Sequence, residues 1–357
     1  MIEVIRGIIG PEDVDRFIEF SKCEYETGPP LDSRSISWRH LDNPAGPSTA
    51  IELEVNGQSI ARIWAQSNVW RLGSQELLLS SPIDLLIHPK HRGIQTFIKI
   101  FKEGMATCFL LADGVLHTSN LLTNDIYRKF MKKSPVADLD GAVFPMSPFL
   151  LAQELLHLNT RRIYKIGDFL FRMFTSGITR FGSRSIAFVS APPVGEQELL
   201  VEKFHALHPF ARRRNQSDRE WRYAGEGIFQ YNTEWIARKG IPFGYVVTTD
   251  RIVNNIKGRF VVDLVIGEQL SKLDLVSMWF MIIRKAQRQS QNALFFFYNA
   301  KNKEMKRVAG FPMVTVKRKQ LPQEVPIFID FGTSKMAADS YKVIAEGYFV
   351  LADLDTF

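Results

Sequence analysis

The stretch LLIHPKHRGIQTF, Leu85 to Phe97, closes an apolar run with Lys90, His91 and Arg92, followed by Gly93, Ile94 and Gln95. A turn of this kind opening a helix suits an anion. The first helical N–H groups have no partner, the helix dipole is positive there, and the cations add charge. Glycine lets the backbone approach a bound group closely. Upstream, alternation along IDLLIHP places Asp84, Leu86 and His88 on one strand face and Ile83, Leu85 and Ile87 on the other. That face carries two titratable groups leading into the cationic turn. Further on, HTSNLLTNDIYRKF carries Asn120 and, seven positions later, Tyr127. Cys23 and Cys108 are far apart and form no Cys/His cluster, so neither a disulfide framework nor a metal site is expected.

The elements that must position these residues occur twice. EVIRGII followed by GPEDVDRFIEF, a strand and a helix, returns as SIAFVSA followed by PVGEQELLVEKF, with Phe20 answered by Phe204. SWRHL around Trp38 is answered by EWRYA around Trp221, and the hairpin turn at Gly57 by the one at Gly240. IDLLIHP is answered by VDLVIGE, Asp84 by Asp263, and Asn120 by Asn299. Five matches in one order predict two copies of one α/β module, over residues 1–150 and 185–357. Between them, 151–184 includes LNTRRIYKIGDFLFRMFTSGITRFGSR, with six basic residues, one acidic residue, and Ile163, Ile166, Leu170, Met173 and Phe174 at helical spacing. Such a helix can lie on a membrane surface. A linker helix packed against both modules is expected instead.

At 357 residues, 45% apolar and 23% charged, the chain is globular and long enough for two cores. The sequence holds no long uncharged apolar run and opens without a signal-peptide core, which predicts a cytoplasmic location. A net charge of +7 favours anionic partners such as phosphorylated cofactors, nucleotide sugars or an acidic carrier protein. Nucleic acid is not expected, since no basic stripe interleaved with exposed aromatics and no reading motif is present.

The hairpin, central strand, HPKHRG turn, helix, strand and Asn-x-x-Thr-x-x-x-Tyr segment of the first copy resemble the GNAT family of N-acyltransferases. The resemblance implies an α/β fold with a mixed sheet in each of two GNAT-like modules, a strand that splays from its neighbour, and a turn that wraps the pyrophosphate of coenzyme A. It assigns Lys90, His91, Arg92, Gly93, Ile94, Gln95 and Asn120 to acyl-CoA. Backbone amides at Leu86 and Ile87 become the pantetheine contact and oxyanion hole. It makes Tyr127 the general acid that reprotonates the departing thiolate. Asp84 and His88 are then the candidates to take the amine's proton, ahead of Glu52 and Glu54.

The family's Arg/Gln-x-x-Gly-x-Gly/Ala signature reads Arg92-Gly93-Ile94-Gln95-Thr96-Phe97, so Gln95 and Phe97 replace two small residues. The closing family motif is divided: Asn120, Thr123 and Tyr127 in the first copy, Asn299, Gly310 and Phe311 in the second, where Lys306 stands in the tyrosine's place. The second copy reads Gly267-Glu268-Gln269-Leu270-Ser271-Lys272 at the phosphate turn, without the cations, and is expected to bind no cofactor.

Tandem proteins with one working site resemble the Fem-type peptidoglycan aminoacyltransferases and the acyltransferases found with surface-polysaccharide genes. WRHLDNPAG looks like an element of the latter, which implies that Trp38 and Asn43 line the acceptor pocket; the alternative makes Trp38 and Trp221 core anchors. Arg222, with Arg212, Arg213, Arg214 and Arg219, suits phosphates of a nucleotide sugar or a lipid-linked acceptor, or an acyl carrier protein, or is simply a solvated basic loop. The expected function is transfer of an acyl group, most simply acetyl from acetyl-CoA, to the amine of a small acceptor such as an amino sugar, by direct attack in a ternary complex. Transfer from acyl carrier protein or aminoacyl-tRNA, and a non-catalytic GNAT-like binding protein, are the alternatives.

Overall fold

A computed structural model of the chain describes residues 2–118, 134–156, 163–182, 186–224, 230–253, 255–317, 325–332 and 338–354. It divides into two compact units, one of Met1–Ala137, Pro209–Phe229 and Pro326–Ala345, the other of Asp138–His208, Gln230–Val325 and Glu346–Phe357.

In the first unit, β1 (Ile2–Ile8), β2 (Thr49–Val55), β3 (Gln58–Leu72) and β4 (Gln75–Ile87) are antiparallel neighbours. The Asn56–Gly57 pair joins β2 to β3 with both residues at positive φ, the hairpin geometry that such a dipeptide favours. Strand β5 (Gly114–Thr118) lies parallel to β4. Helices α1 (Asp13–Ser21) and α2 (Ser33–His40) cover one face, burying Ile9, Val14, Phe17, Ile36, Ala50 and Trp64. Helix α3 (Ile94–Leu111) covers the other, where Ile51, Leu53, Ala61 and Ile63 meet Ile100, Phe101 and Met105. A Cβ at Gly104 would come within 2.9 Å of Ile63, so glycine sets how closely α3 lies on β3.

Strands β6 (Ala137–Pro145), β7 (Ile186–Val189), β9 (Asn232–Arg238), β10 (Ile241–Val253), β11 (Ile256–Ile266) and β12 (Ala293–Asn299) build the second unit's sheet in the order β7-β9-β10-β11-β12-β6. Its first three pairings are antiparallel, β11 and β12 are parallel, and β6 closes antiparallel on β12. The first unit has the same sequence of pairings, its sixth place taken by β14 (Pro326–Asp330), antiparallel to β5. Short β8 (Phe210–Arg212) pairs with the far end of β3, and β13 (Val314–Val316) with β6. The units are therefore interleaved along the chain, unlike the consecutive spans expected from the repeat. Each parallel pair leaves a strand edge to cover, and the covering strand comes from outside its own repeat.

Candidate active site

The site grows from one irregularity in β4. The register of β3 on β4 shifts between Arg62 and Trp64, where Asp84 sits at φ 50° as the extra residue of a bulge. The bulge corrects the alternation read from the sequence: Ile83 packs with Trp64 on the α1–α2 side, whereas Leu85 and Ile87 pack with Ala61, Ile63 and Ile100 on the α3 side. Before the bulge β4 has already left its parallel neighbour. The two strands pair only at Leu79–Ser80 with Gly114–Val115, although β4 runs on to Ile87 and β5 to Thr118.

On the α1–α2 side, Asp84, Leu85 and Leu86 line a cavity of about 70 Å³ with Arg39, His40 and Tyr25. The Asp84 carboxylate lies 3.3 Å from Nη1 of Arg39 and 3.1 Å from Nε2 of His40. Burial pushes its pKa up, but Arg39 and the His40 hydrogen bond outweigh that and hold it at about 2. An ionised carboxylate has no proton to give, so Nε2 of His40 is the donor to it, while Nδ1 is hydrogen-bonded to the Ser48 hydroxyl at 3.1 Å. The imidazole stacks on Trp64, with centroids 4.1 Å apart. Beneath it, the fully buried Arg62 guanidinium lies 3.8 Å from the centre of the Phe17 ring and donates to Phe17 O at 3.0 Å. Burial lowers its pKa to about 9.

The β4 strand leads into the turn His88–Gly93. His88 Nδ1 accepts from Lys90 N at 3.3 Å, so its ring shapes the turn. Lys90, His91, Arg92, Gly93, Ile94 and Gln95 are all exposed. Arg92 donates from Nε to Ile87 O at 3.3 Å and forms an ion pair with Glu24. Helix α3 begins at Ile94 with no side chain capping it, and a Cβ on Gly93 would meet nothing within 4 Å. Phe97 points inward, stacked on Phe101 at 5.8 Å and packed on the core, which explains how a large residue stands where the family has a small one.

The equivalent places in the second unit are filled. Helix α7 (Lys272–Arg288) is capped by Ser271, whose hydroxyl accepts from Asp274 N at 3.1 Å, and Glu268 pairs with Arg238 at 2.7 Å. Strand β11 also leaves β12 after Val261, but there the Tyr348 phenol donates to Leu264 O at 2.6 Å and lies 3.3 Å from Leu264 N. Among the described residues, no side chain takes the corresponding N–H and C=O of Leu85.

The remaining sequence-derived residues fall elsewhere. Trp38 stacks on Trp221 with centroids 5.6 Å apart, and each indole N–H donates to the other's backbone carbonyl, at 2.7 Å for Trp221. Asn43 is buried on its own turn, donating to Ser67 O at 2.8 Å and accepting from Ala45 N at 3.0 Å. Arg222 is half-buried, its guanidinium 6.0 Å from the Trp221 ring. Asn120 and Tyr127 lie outside the described residues. Sequence reasoning missed Arg39 and His40, whose signal was their place about two turns after the Asp32 cap of α2 and next to Trp38. Cys108 is buried and its thiol pushed up to about 12, which removes it as a nucleophile. No metal-binding group of His, Cys, Asp or Glu occurs among the described residues.

No protein-family model and no curated protein sequence matches the chain. Solved structures do. A GCN5-related N-acetyltransferase from Anabaena variabilis aligns at a TM-score of 0.57 and 11% identity, covering 92% of this chain and 72% of that one. N-myristoyltransferase from Saccharomyces cerevisiae with bound myristoyl-CoA aligns at 0.59 and 10%, covering 97% and 83%. A probable N-acyltransferase from Enterococcus faecalis aligns at 0.57 and 10%, covering 92% and 72%. The fold is that of the GNAT N-acyltransferases.

Proposed function

We propose that the protein is an acyl-CoA-dependent N-acyltransferase whose donor site lies in the first unit. The observation that carries the reading is the continuity of three features: the β4–β5 parting, the bulge at Asp84, and the cationic turn at an uncapped helix N-terminus. The turn Lys90–Gly93 and the first N–H groups of α3 suit the pyrophosphate of coenzyme A. With the donor so placed, the thioester carbonyl comes to the open edge of β4. His88 N donates to Ile60 O and Leu86 pairs with Arg62 in the same register, so the amide of Leu86 faces β3 and that of Ile87 is the one turned to the opening as donor.

The acceptor amine enters beside Asp84. With its pKa held at about 2, this carboxylate attracts an ammonium but does not retain its proton. It is therefore the orienting anion, and the proton leaves to solvent or to an acceptor group of the substrate. The amine nitrogen bonds to the acyl carbon, the carbon–sulfur bond breaks, and the thiolate is protonated, the role the resemblance gives to Tyr127. Acetyl is the simplest acyl group and an amino sugar the simplest acceptor class in this reading. The myristoyl-CoA bound by one fold neighbour makes longer chains part of the test. The experiment is a thiol-release assay with acetyl- and myristoyl-CoA over a panel of amines. Release coupled to N-acylation supports the proposal, and no release with any pair removes it. Full release by Tyr127→Phe removes only the acid assignment.

A further inference from the structure

The basic helix between the repeats is inside out. In the second unit, α4 (Pro148–Leu156) is followed by α5 (Ile163–Gly182), and the face α5 buries is polar. Asp168 is buried and accepts from the N–H groups of Phe149 and Leu150 at 2.9 and 3.1 Å, capping α4. Arg172 donates to the Ser147 hydroxyl at 2.6 Å and to Gln291 O at 3.1 Å. Thr175 and Thr179 are buried on α7, Thr175 accepting from Gln287 Nε2 at 2.8 Å. Each of these inward polar groups thus has a partner on the body of its unit.

The apolar row faces outward. Ile166, Phe169, Leu170, Met173, Phe174 and Ile178 recur at helical spacing and are between 41% and 67% exposed. Phe149 of α4, 47% exposed, extends the row because Gly167 leaves it room: a Cβ there would meet its ring at 2.7 Å. Six adjacent large side chains in water oppose the hydrophobic effect, and rotating the helix to bury them would strand Asp168 and Arg172. The segment 158–184 carries six basic residues; Arg172 is turned inward with the one acid, Asp168, and Lys165 is exposed beside the apolar row. An outward apolar face within a basic segment complements an anionic bilayer surface, with aromatic and aliphatic side chains among the acyl chains and cations at the headgroups.

We infer that α5 is an interfacial helix that docks the protein on anionic lipid membranes. The sequence suggests a linker helix packed against both modules; the face that α5 buries is its polar one. An enzyme held this way works on acceptors presented at the membrane surface.

Flotation of the full chain with vesicles of phosphatidylcholine alone, or of phosphatidylcholine mixed with phosphatidylglycerol, tests it. The chain is expected to float with the anionic vesicles and weakly with the neutral ones, and to be released by high salt. Phe169→Glu with Phe174→Glu should lower the bound fraction about tenfold or more, with an unchanged circular-dichroism spectrum and unchanged thiol release from soluble substrates. Failure of the wild type to float with anionic vesicles overturns the proposal, whatever the variant does. So does flotation that the substitutions leave intact, or lipid-free self-association that they abolish, which would make the face an interface between copies.

Discussion

Asp84 is pinned by Arg39 and His40, and its behaviour in acid follows from that. Its folded pKa of about 2 lies below the ordinary 3.8, so the pairing contributes stability that is fully present above about pH 4 and is lost as pH falls towards 2. The melting temperature of Asp84→Asn should therefore fall less steeply than that of the wild type over this window. Parallel curves would mean that the carboxylate is unpaired. The same substitution should lower the rate of N-acylation by about a hundredfold, because the acceptor loses its anion. At the turn, Arg92 is shared with Glu24. Arg92→Ala should weaken acyl-CoA binding by about tenfold, whereas Glu24→Gln frees the guanidinium and should tighten binding by about threefold. Calorimetry decides, and an unchanged or weakened affinity in Glu24→Gln would place the phosphates elsewhere. Asp84 and Arg92 were legible in the sequence. Arg39 and His40 were not, because α2 brings them to β4 from a distant part of the chain and they fill unspecified positions between Trp38 and Asn43 in WRHLDNPAG.

At the scale of elements, the turn at Lys90–Gly93 and the hairpins at Asn56–Gly57 and Lys239–Gly240 were readable from residue type alone. The bulge was not. A positive φ at Asp84, without glycine, leaves no trace in the hydrophobic pattern, and strict alternation then assigns Ile83 to the wrong face. The departure at Phe97 also resolves only in three dimensions, since its ring belongs to the core under α3. Phe97→Ala should cost about 2 kcal/mol of stability in denaturant unfolding and leave acyl-CoA affinity within a factor of about two. A large loss of affinity without loss of stability would make Phe97 part of the donor site.

The repeat in the sequence returns as two units with one strand order, but with the sixth strand of each drawn from outside its copy, which periodicity alone does not reveal. Their difference is chemical. The first unit opens its strands onto an uncapped helix and a cationic turn, and the second caps its helix with Ser271 and fills the opening with Tyr348. Tyr348→Phe should therefore cost about 1 kcal/mol in thermal unfolding and leave acyl-CoA binding as it was. The central claim is that the molecule binds acyl-CoA once, in the first unit. Titration calorimetry of the full chain with acetyl-CoA and with a long-chain acyl-CoA tests it most directly. Saturation at a single equivalent is expected for at least one donor, abolished by combining Lys90→Ala with Arg92→Ala. Two equivalent sites, binding indifferent to that double substitution, or no binding of either donor would contradict it.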